Sequence, residues 1–348
     1  MRADRFIGWD LGGAHLKFAQ IDASGQLIDV RQLPCPIWRG IEYLDRALEE
    51  ASHAIQAERT CHVLTMTAEL ADIFTDRLQG VQVLVEHFGA HVSVGKIRIF
   101  AGKTGWLATT EVKEHTTSIA SANWLASASY AARKCARGIL VDIGSTTTDI
   151  IEFRDGRIWY RGYSDGERLR TGELVYTGVL RTPVMAVVQW VPFEGEWQTL
   201  ASEQFATLAD VYQLTGQLAA VTPPVSFETA DGAGREPLDC ARRLARMVGR
   251  DVGAADLAQW RTLAHYIARR HLSLIREAVE RMLSRGVESH DLPLIGAGVG
   301  RFRVRELAAQ LGCQYIDFSE LVEGAQELTN YAAVCAPATA LAYLAMSS

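Results

Sequence analysis

The sequence predicts an α/β protein of two lobes, each carrying a β-hairpin whose turn is suited to holding phosphate. Three observations carry that prediction: a strand–turn–strand module that occurs twice, an alternation of strands and helices after the first copy, and a late glycine-rich turn that follows a strand. The first copy is Phe6-Ile7-Gly8-Trp9-Asp10-Leu11-Gly12-Gly13, followed by Leu16-Lys17-Phe18-Ala19. The second is Gly138-Ile139-Leu140-Val141-Asp142-Ile143-Gly144-Ser145-Thr146-Thr147-Thr148-Asp149, followed by Ile150-Ile151-Glu152-Phe153. In each, an apolar strand ends in Asp, turns through Gly and small residues, and returns as a second apolar strand. A further strand follows, Gln26-Leu27-Ile28 in one copy and Arg157-Ile158-Trp159 in the other. Two such hairpins facing each other would grip a phosphate chain between glycine-lined turns.

Residues 5–35 read as a three-strand meander, and Ile41, Leu44, Leu48, Ala51 and Ile55 give helical spacing over 41–58. His62 to Met66 reads as a short buried strand, with Glu69 opening the helix after it. Lys96 to Ala101 is a strand, and Ser121 to Cys135 an Ala-rich helix feeding the second hairpin. This is the α/β order. Beyond 138–161 comes a polar, Gly-rich stretch, Gly162 to Thr182. Helices follow at about 203–217, 237–249 and 254–285. A strand over Asp291 to Ile295 runs into Gly296-Ala297-Gly298-Val299-Gly300; a helix, a strand over Gln314 to Phe318 and a buried helix over Tyr331 to Met346 complete the chain. The expected lobes are residues 1–136, completed by a C-terminal helix over 328–348, and residues 137–327 with the turn 296–300. The helix before residue 138 and the last helix are expected to join them.

A length of 348 residues favours two domains over one. A net charge of −6 argues against non-specific binding to nucleic acid or to an acidic membrane surface. The six cysteines are scattered without a Cys-x-x-Cys pair, so reduced thiols in a cytoplasmic protein are expected rather than a zinc or redox site. The N-terminus shows no basic-then-apolar signal segment, and the apolar run over 331–346 is too short to span a bilayer comfortably. Subunit number is not readable; a homodimer is carried as one arrangement.

Turns of Gly and Ser/Thr let backbone N–H groups reach phosphate oxygens with no side chain in the way. Gly12 and Gly13, and Gly144, Ser145, Thr146 and Thr147, meet that need. Asp10 and Asp142 stand at strand ends, where carboxylates hold Mg²⁺, often through water. Lys17 adds a point charge, and Asp149 lies just past the second turn. Gly296, Gly298 and Gly300 suit an adenosine-type turn or a plain strand-to-helix turn. The segment Ser164 to Pro183 gathers Arg168, Arg170, Arg181, Asp165, Glu167 and Glu173, and arginine forks suit phosphate. Glu228 to Gly232, with Asp231, is a turn only or a metal or substrate contact. The histidines make no metal-binding pattern; His265 and His271, six apart, share a helix face poorly. Serine-hydrolase and Walker-type motifs are missing from the sequence.

The paired hairpins and the late glycine turn resemble the actin/Hsp70/sugar-kinase superfamily, with its actin-like ATPase (ribonuclease H-like) fold. Asp10-Leu11-Gly12-Gly13-Ala14-His15-Leu16-Lys17, Thr65-Met66-Thr67-Ala68-Glu69-Leu70, Ala122-Asn123-Trp124, Val141 to Ile150, Gly172-Glu173-Leu174-Val175-Tyr176-Thr177-Gly178 and Thr229-Ala230-Asp231-Gly232 are similar to one group. It is the hydantoinase/oxoprolinase-like group of tetrahydromethanopterin-linked C1-transfer pathway proteins, and the likeness runs from about residue 6 to 250 before thinning. The group's archaeal relatives are methanofuran-biosynthesis synthases joining an aminomethylfuran methyl diphosphate to γ-glutamyltyramine. The resemblance implies a transferase that displaces diphosphate with a phenol oxygen, using Mg²⁺. Asp10 and Asp142, with Asp231, would ligate the metal; Lys17, Arg168 and Arg181 would pair with diphosphate. Asp142, Asp149, Glu69 and Glu173 are the candidate bases, and the residues alone do not choose among them. The implied partners are a small-molecule diphosphate and a phenolic amine, with neither nucleic acid nor membrane; ATP is left open.

Three rivals stand on the same fold. A small-molecule kinase would form ADP at a pocket around Gly296 to Gly300. An ATP-driven amide-ring hydrolase would be longer. A non-catalytic nucleotide clamp or repressor would carry an N-terminal helix-turn-helix, whereas this sequence opens on a strand.

Overall fold

The computed structural model describes residues 3–55, 59–92, 94–219, 221, 227–286 and 292–348. The chain begins with β1 (Arg5–Leu11), β2 (His15–Asp22), β3 (Leu27–Pro34), α1 (Glu42–Glu50), α2 (Ser52–Ile55), β4 (Thr60–Met66) and α3 (Arg77–His91). It continues through β5 (Lys96–Phe100), β6 (Trp106–Leu107), α4 (Thr116–Ile119) and α5 (Asn123–Lys134). The second hairpin is β7 (Arg137–Ile143) and β8 (Thr148–Arg154), with β9 (Arg157–Trp159), α6 (Asp165–Thr171) and β10 (Leu174–Val175) after it. Then come β11 (Trp190–Phe193), β12 (Glu196–Thr199), α7 (Leu208–Leu214), α8 (Pro237–Met247) and α9 (Leu257–Leu283). The last elements are β13 (Leu294–Ala297), α10 (Arg301–Leu311), β14 (Tyr315–Asp317), α11 (Gln326–Val334) and α12 (Ala336–Met346).

Two compact units result. One comprises Met1–Leu140, Ile151–Glu167 and Asp317–Ser348; the other Val141–Ile150 and Arg168–Ile316. These bounds differ from the 136/137 and 327/328 expected from the sequence: the units divide β7 and β8, and the chain returns to the first unit at Asp317.

The first unit is built on a six-stranded sheet in the order β3-β2-β1-β4-β5-β6. β1 is antiparallel to β2 and parallel to β4. Side chains alternate across β1, so its two faces differ. Ile7, Trp9 and Leu11 enter a core with Leu44 of α1 and Val81, Leu84 and Phe88 of α3. The Trp9 ring lies 4.9 Å from Phe18 and 5.4 Å from Phe88. On the opposite face Gly8 lets α12 lie against the strand, since a Cβ there would run into the Ala338 carbonyl and the Ala342 amide. Asp10 is on that same face, at the strand's C-terminal end.

The sheet holding the second hairpin repeats the arrangement. Its order is β10-β8-β7-β13-β14, with β9 also paired to β8. A hairpin is thus followed outward by strands that arrive later in the chain, as β4 and β5 do beside β1. In the second unit α7, α8 and α9 pack on one another. The 27-residue α9 starts at a capping box: Asp256 accepts from the Gln259 N–H, and the Gln259 side chain accepts from the Asp256 N–H.

Several elements differ from expectation. The helix expected over 41–58 divides into α1 and α2, and 56–58 lie outside the described residues. Glu69 sits in a single 3₁₀ turn, Ala68–Leu70, and α3 starts only at Arg77, where Asp76 caps it by accepting from the Gln79 N–H. The stretch 162–182 contains α6 and β10. The helix expected at 203–217 shortens to Leu208–Leu214, and the strand at 291–295 moves to Leu294–Ala297, Asp291 lying outside the described residues. The final helix bends by 106° between α11 and α12, where Pro337 occupies the first turn and has no N–H to continue the ladder. β11 and β12 were not anticipated; Glu194 and Gly195, with φ of 52° and 84°, form their turn. Among the described residues no single helix is long and apolar enough to cross a membrane. All six cysteines are free thiols, five of them buried.

Candidate active site

In the first unit the turn after β1 is closed by Gly12, whose N–H bonds the His15 carbonyl at 3.0 Å. The Gly13 and Ala14 carbonyls accept from Ile37 and Cys35, at 3.1 and 2.9 Å. A Cβ on Gly13 would meet nothing within 4 Å, so this side of the turn is open. Asp10 is 3% exposed and lies directly across from Lys17 on β2 and beside Thr65 on β4. The strand β4 then leads to Thr67, whose N–H holds the Leu11 carbonyl at 2.9 Å. The Thr65-Met66-Thr67-Ala68-Glu69 segment therefore runs from the first turn to a buried carboxylate.

That carboxylate, Glu69, is 1% exposed, and its backbone is pinned by Gly80 of α3: a Cβ there would stand 2.5 Å from the Glu69 carbonyl oxygen. Glu69 Oε1 accepts from the Ser121 hydroxyl at 2.7 Å, while Oε2 finds no hydrogen-bond partner among the described residues and is buried. Ser121 Oγ is also 3.1 Å from Asp165 Oδ2, which Arg77 Nη2 approaches at 2.7 Å. Burial raises the Glu69 carboxyl to about 7, the Ser121 hydrogen bond and Arg77 opposing that rise and Asp165 adding to it. Ser121 has φ of +51°, a conformation rare outside glycine. Beside Asp165, Tyr163 donates to the Ser118 carbonyl at 2.6 Å, and Lys103 Nζ lies 4.6 Å from the centre of the Tyr160 ring.

In the second unit three separate segments meet at the second turn. The Gly144 N–H bonds the Thr147 carbonyl at 2.9 Å. The Gly144 and Ser145 carbonyls accept from the N–H groups of Val179, Leu180 and Arg181, at 2.9 to 3.2 Å. Gly178 lies flat against the turn: a Cβ would stand 2.5 Å from backbone atoms of Gly144, Ser145 and Thr146. The hydroxyls of Thr148 and Thr182 brace this segment, on the Thr177 carbonyl at 2.7 Å and the Gly178 N–H at 2.8 Å. The third segment is the late glycine turn. Gly298, at φ +79°, leaves no room for a Cβ against the Asp142 carboxylate and the Ile143 carbonyl, and the Gly300 N–H bonds Ile143 O at 2.8 Å. Asp142, Gly144, Ser145, Thr146, Thr147, Arg181, Gly296, Gly298 and Gly300 are thus brought to one end of one sheet.

Other candidates are committed elsewhere. Arg168 is 2% exposed; its Nη2 donates to Asp149 at 2.8 Å and to the Glu173 carbonyl at 3.0 Å. Glu173 is fully buried, paired with Arg285 at 3.1 Å and bonded by the Thr171 hydroxyl. The fork of Arg168 is thus engaged within the second unit, and Asp149 and Glu173 are each paired with an arginine. Asp231 pairs with Arg243 at 3.0 Å and Arg246 at 3.4 Å, and Arg243 also holds Asp210. Although burial works against its charge, the Ala233 N–H and Arg243 hold the Asp231 carboxyl below its usual range. That pairing suits a loop anchor and not a metal ligand. His271 is buried, held low at about 3, and bonded to the Tyr212 hydroxyl at 2.6 Å. Ser121, Asp165, Arg77 and Gly178 were not singled out by the sequence reading for these placements; Asp165 and Gly178 lay within quoted segments, while Ser121 and Arg77 carried no local signal.

A strand–turn–strand module repeated on two sheets of like order defines an α/β protein of the actin-like fold class. A family model for hydantoinase/oxoprolinase matches residues 60–342, and the chain belongs to that family. It is 29% identical over 296 residues to "(4-{4-[2-(gamma-L-glutamylamino)ethyl]phenoxymethyl}furan-2-yl)methanamine synthase" of Methanocaldococcus jannaschii, covering 84% of this chain and 86% of that protein. A synthase of the same name from Methanococcus vannielii is 30% identical over 144 residues, 41% of this chain and 64% of that one. Among solved structures, nucleotide-free acetone carboxylase aligns with a TM-score of 0.56 at 10% identity, over 97% of this chain and 70% of that chain, a likeness of fold alone.

Proposed function

We propose that this protein is a transferase of furan-cofactor assembly. It joins an aminomethylfuran methyl diphosphate to a tyramine-type phenol as an aryl ether and releases diphosphate. One observation carries the reading: likeness over 84% of this chain and 86% of a synthase whose name describes that phenoxymethyl-furan product. The bond that breaks joins the furfuryl carbon to diphosphate oxygen, and the electron-rich ring spreads the charge left behind. The bond that forms uses a lone pair of the phenol oxygen. Ionising a free phenol of pKa ~10 at pH 7 costs about 4 kcal/mol, so a nearby carboxylate eases the attack.

Each unit, taken by itself, carries a turn that suits phosphate oxygens. In the first, the Gly12 N–H is taken by the His15 carbonyl, so the backbone of Gly13 on the open side would face phosphate, with Lys17 as a cation. In the second, Gly144 to Thr147 are held rigidly, with Arg181 at the supporting segment. Among the described residues no group of three His, Cys, Asp or Glu side chains forms a metal cage. Single carboxylates at strand ends fit Mg²⁺, which keeps water and phosphate oxygens in its shell. Asp10 in the first unit and Asp142 in the second each fit that role at their own turn, and Mg²⁺ held by such a carboxylate would neutralise charge on the leaving diphosphate. Asp231, already ion-paired, does not fit. A cytoplasmic location and a place in tetrahydromethanopterin-linked C1 metabolism belong to the same proposal.

The test is to incubate the protein with Mg²⁺, a furfuryl diphosphate and γ-glutamyltyramine, and in parallel with ATP, following diphosphate, ADP and ether. Ether and diphosphate without nucleotide are the expected products. ADP in place of ether would instead assign a kinase.

A further inference from the structure

We propose that Glu69, Ser121 and Asp165 of the first unit form a proton relay that receives the proton of the phenolic acceptor. The inference rests on the reaction proposed above, and its geometry lies within one unit.

The argument begins with valence. A serine hydroxyl has one proton and two lone pairs. Ser121 Oγ stands 2.7 Å from Glu69 Oε1 and 3.1 Å from Asp165 Oδ2, two acceptors when both carboxyls are ionised. One hydroxyl proton cannot serve both. The row is satisfied when one carboxyl carries a proton and donates it to Ser121, which then donates to the other. The arrangement therefore stores a single mobile proton, with a defined path between its ends.

The two ends differ. Glu69 is 1% exposed, and its Oε2 is buried with no hydrogen-bond partner among the described residues. A bare ionised oxygen in that place is far costlier than a neutral one. Asp165 has 17% of its side chain exposed and is paired with Arg77 at 2.7 Å. The charged groups facing Glu69 are Arg77 from α3 and Asp165 from α6, one favouring and one opposing its ionisation. Protons enter at Asp165, the accessible end, and come to rest on Glu69, the dry end. Burial lifts the affinity of Glu69 into the neutral range, so near pH 7 the relay has both a vacancy and a proton to exchange.

The step balances. The phenol O–H bond breaks as its proton passes to Asp165 Oδ2. Asp165 passes a proton to Ser121, and Ser121 passes its own to Glu69 Oε1. The phenol lone pair forms the bond to the furfuryl carbon, and the electron pair of the broken C–O bond leaves with diphosphate. The unusual backbone of Ser121 keeps its hydroxyl between the two carboxyls. Glycine at that position keeps the backbone and removes only the relay.

The experiment compares wild type with Glu69→Gln, Asp165→Asn and Ser121→Gly. Ether formation is measured with γ-glutamyltyramine and with a polyfluorinated phenol already ionised at neutral pH. With the ordinary phenol each variant should lose about 100-fold in kcat, with the KM for diphosphate unchanged. With the ionised phenol the loss should shrink below about 5-fold, because no proton has to move. Wild-type kcat should rise with pH and level off above about 7, and Glu69→Gln should lose that limb. Equal losses with both phenols, or an unchanged limb, would overturn the relay. An infrared pH titration reads the stored proton without turnover: a carboxylic C=O band fading through neutral pH should be present in wild type and absent from Glu69→Gln. A band that survives in Glu69→Gln removes the relay even if ether forms. A wild type that shows the band but makes no ether removes the proposed reaction and leaves the proton store standing.

Discussion

The two glycine turns share a sequence pattern yet differ in what lies against them. The first is tied through its carbonyls to Cys35 and Ile37 and is open at Gly13, where an added Cβ meets nothing. The second is clamped: Gly178 lies on its backbone, the N–H groups of Val179 to Arg181 take its carbonyls, and the Gly298 turn presses on Asp142. The neighbours differ in chemistry as well. Thr67, bonded to the first turn, leads within two residues to the titratable Glu69, whereas the second turn is backed by glycine and threonine hydroxyls. The lesson is that one module takes two forms, clamped on its backbone in the second unit and open at Gly13 in the first.

The largest test of that contrast is to neutralise the strand-end aspartates. Asp10→Asn and Asp142→Asn should each lower kcat by about 10³-fold, equivalent to about 4 kcal/mol of barrier, with melting temperatures nearly unchanged. A loss confined to one variant would assign the diphosphate to that turn alone. Near-normal turnover in both would remove the Mg²⁺–diphosphate role of the strand ends.

Clamping should appear next, as stability. Gly178→Ala forces a methyl to 2.5 Å from three backbone atoms of the second turn. Neither partner is a flexible side chain, so the strain should reach about 3 kcal/mol, the upper end for overpacking. Chemical denaturation measures it. A loss under about 1 kcal/mol would mean that the turn yields, and the contrast with the first turn would fade.

The titratable neighbour of the first turn gives an effect of similar size with a definite sign. Folding raises the Glu69 carboxyl from 4.5 to about 7, so the folded chain binds this proton more tightly than the unfolded chain. Its contribution is fully present below pH 4.5 and is lost as pH climbs to about 7, by about 3 kcal/mol at most. His62 and His271 act oppositely. Burial lowers them from 6.5 to about 4 and about 3, so their contribution is lost as pH falls below 6.5. The difference between Glu69→Gln and wild type isolates the carboxyl: the variant should gain relative stability from pH 4.5 to 7 and stay level above. A flat difference curve contradicts the raised affinity.

Much of this was legible in the sequence because it is local. Asp10, Gly12, Asp142 and Gly144 occupy the places their motifs imply, since a strand, a tight turn and a returning strand are set by neighbouring residues. The burial of the C-terminal apolar run is of the same kind. What escaped was long-range. Arg168 looks like an available phosphate ligand until the fold brings Asp149 and Glu173 against it; charge complementarity across 19 residues leaves no local mark. Gly178 and Gly298 reach the second turn from 34 and 154 residues beyond Gly144. Ser121 enters the Glu69 site through its backbone conformation, invisible in a single serine. The β11–β12 hairpin was overlooked although Glu194-Gly195 between Phe193 and Trp197 is a usable turn signal.

The smallest expected effect is the most discriminating about the open turn. Gly13 has an ordinary backbone conformation and free space at its Cβ position, so Gly13→Ala should alter stability by less than about 0.5 kcal/mol. Gly144→Ala places a methyl 3.2 Å from the Thr147 carbonyl and should cost about 1 kcal/mol. If phosphate oxygens approach the first turn from its open side, the Gly13 methyl stands in their path without disturbing the fold. KM for the furfuryl diphosphate should then rise several-fold in Gly13→Ala while denaturation stays superimposable on wild type. An unchanged KM would take Gly13 out of the diphosphate site and leave the clamped turn of the second unit as the better cradle.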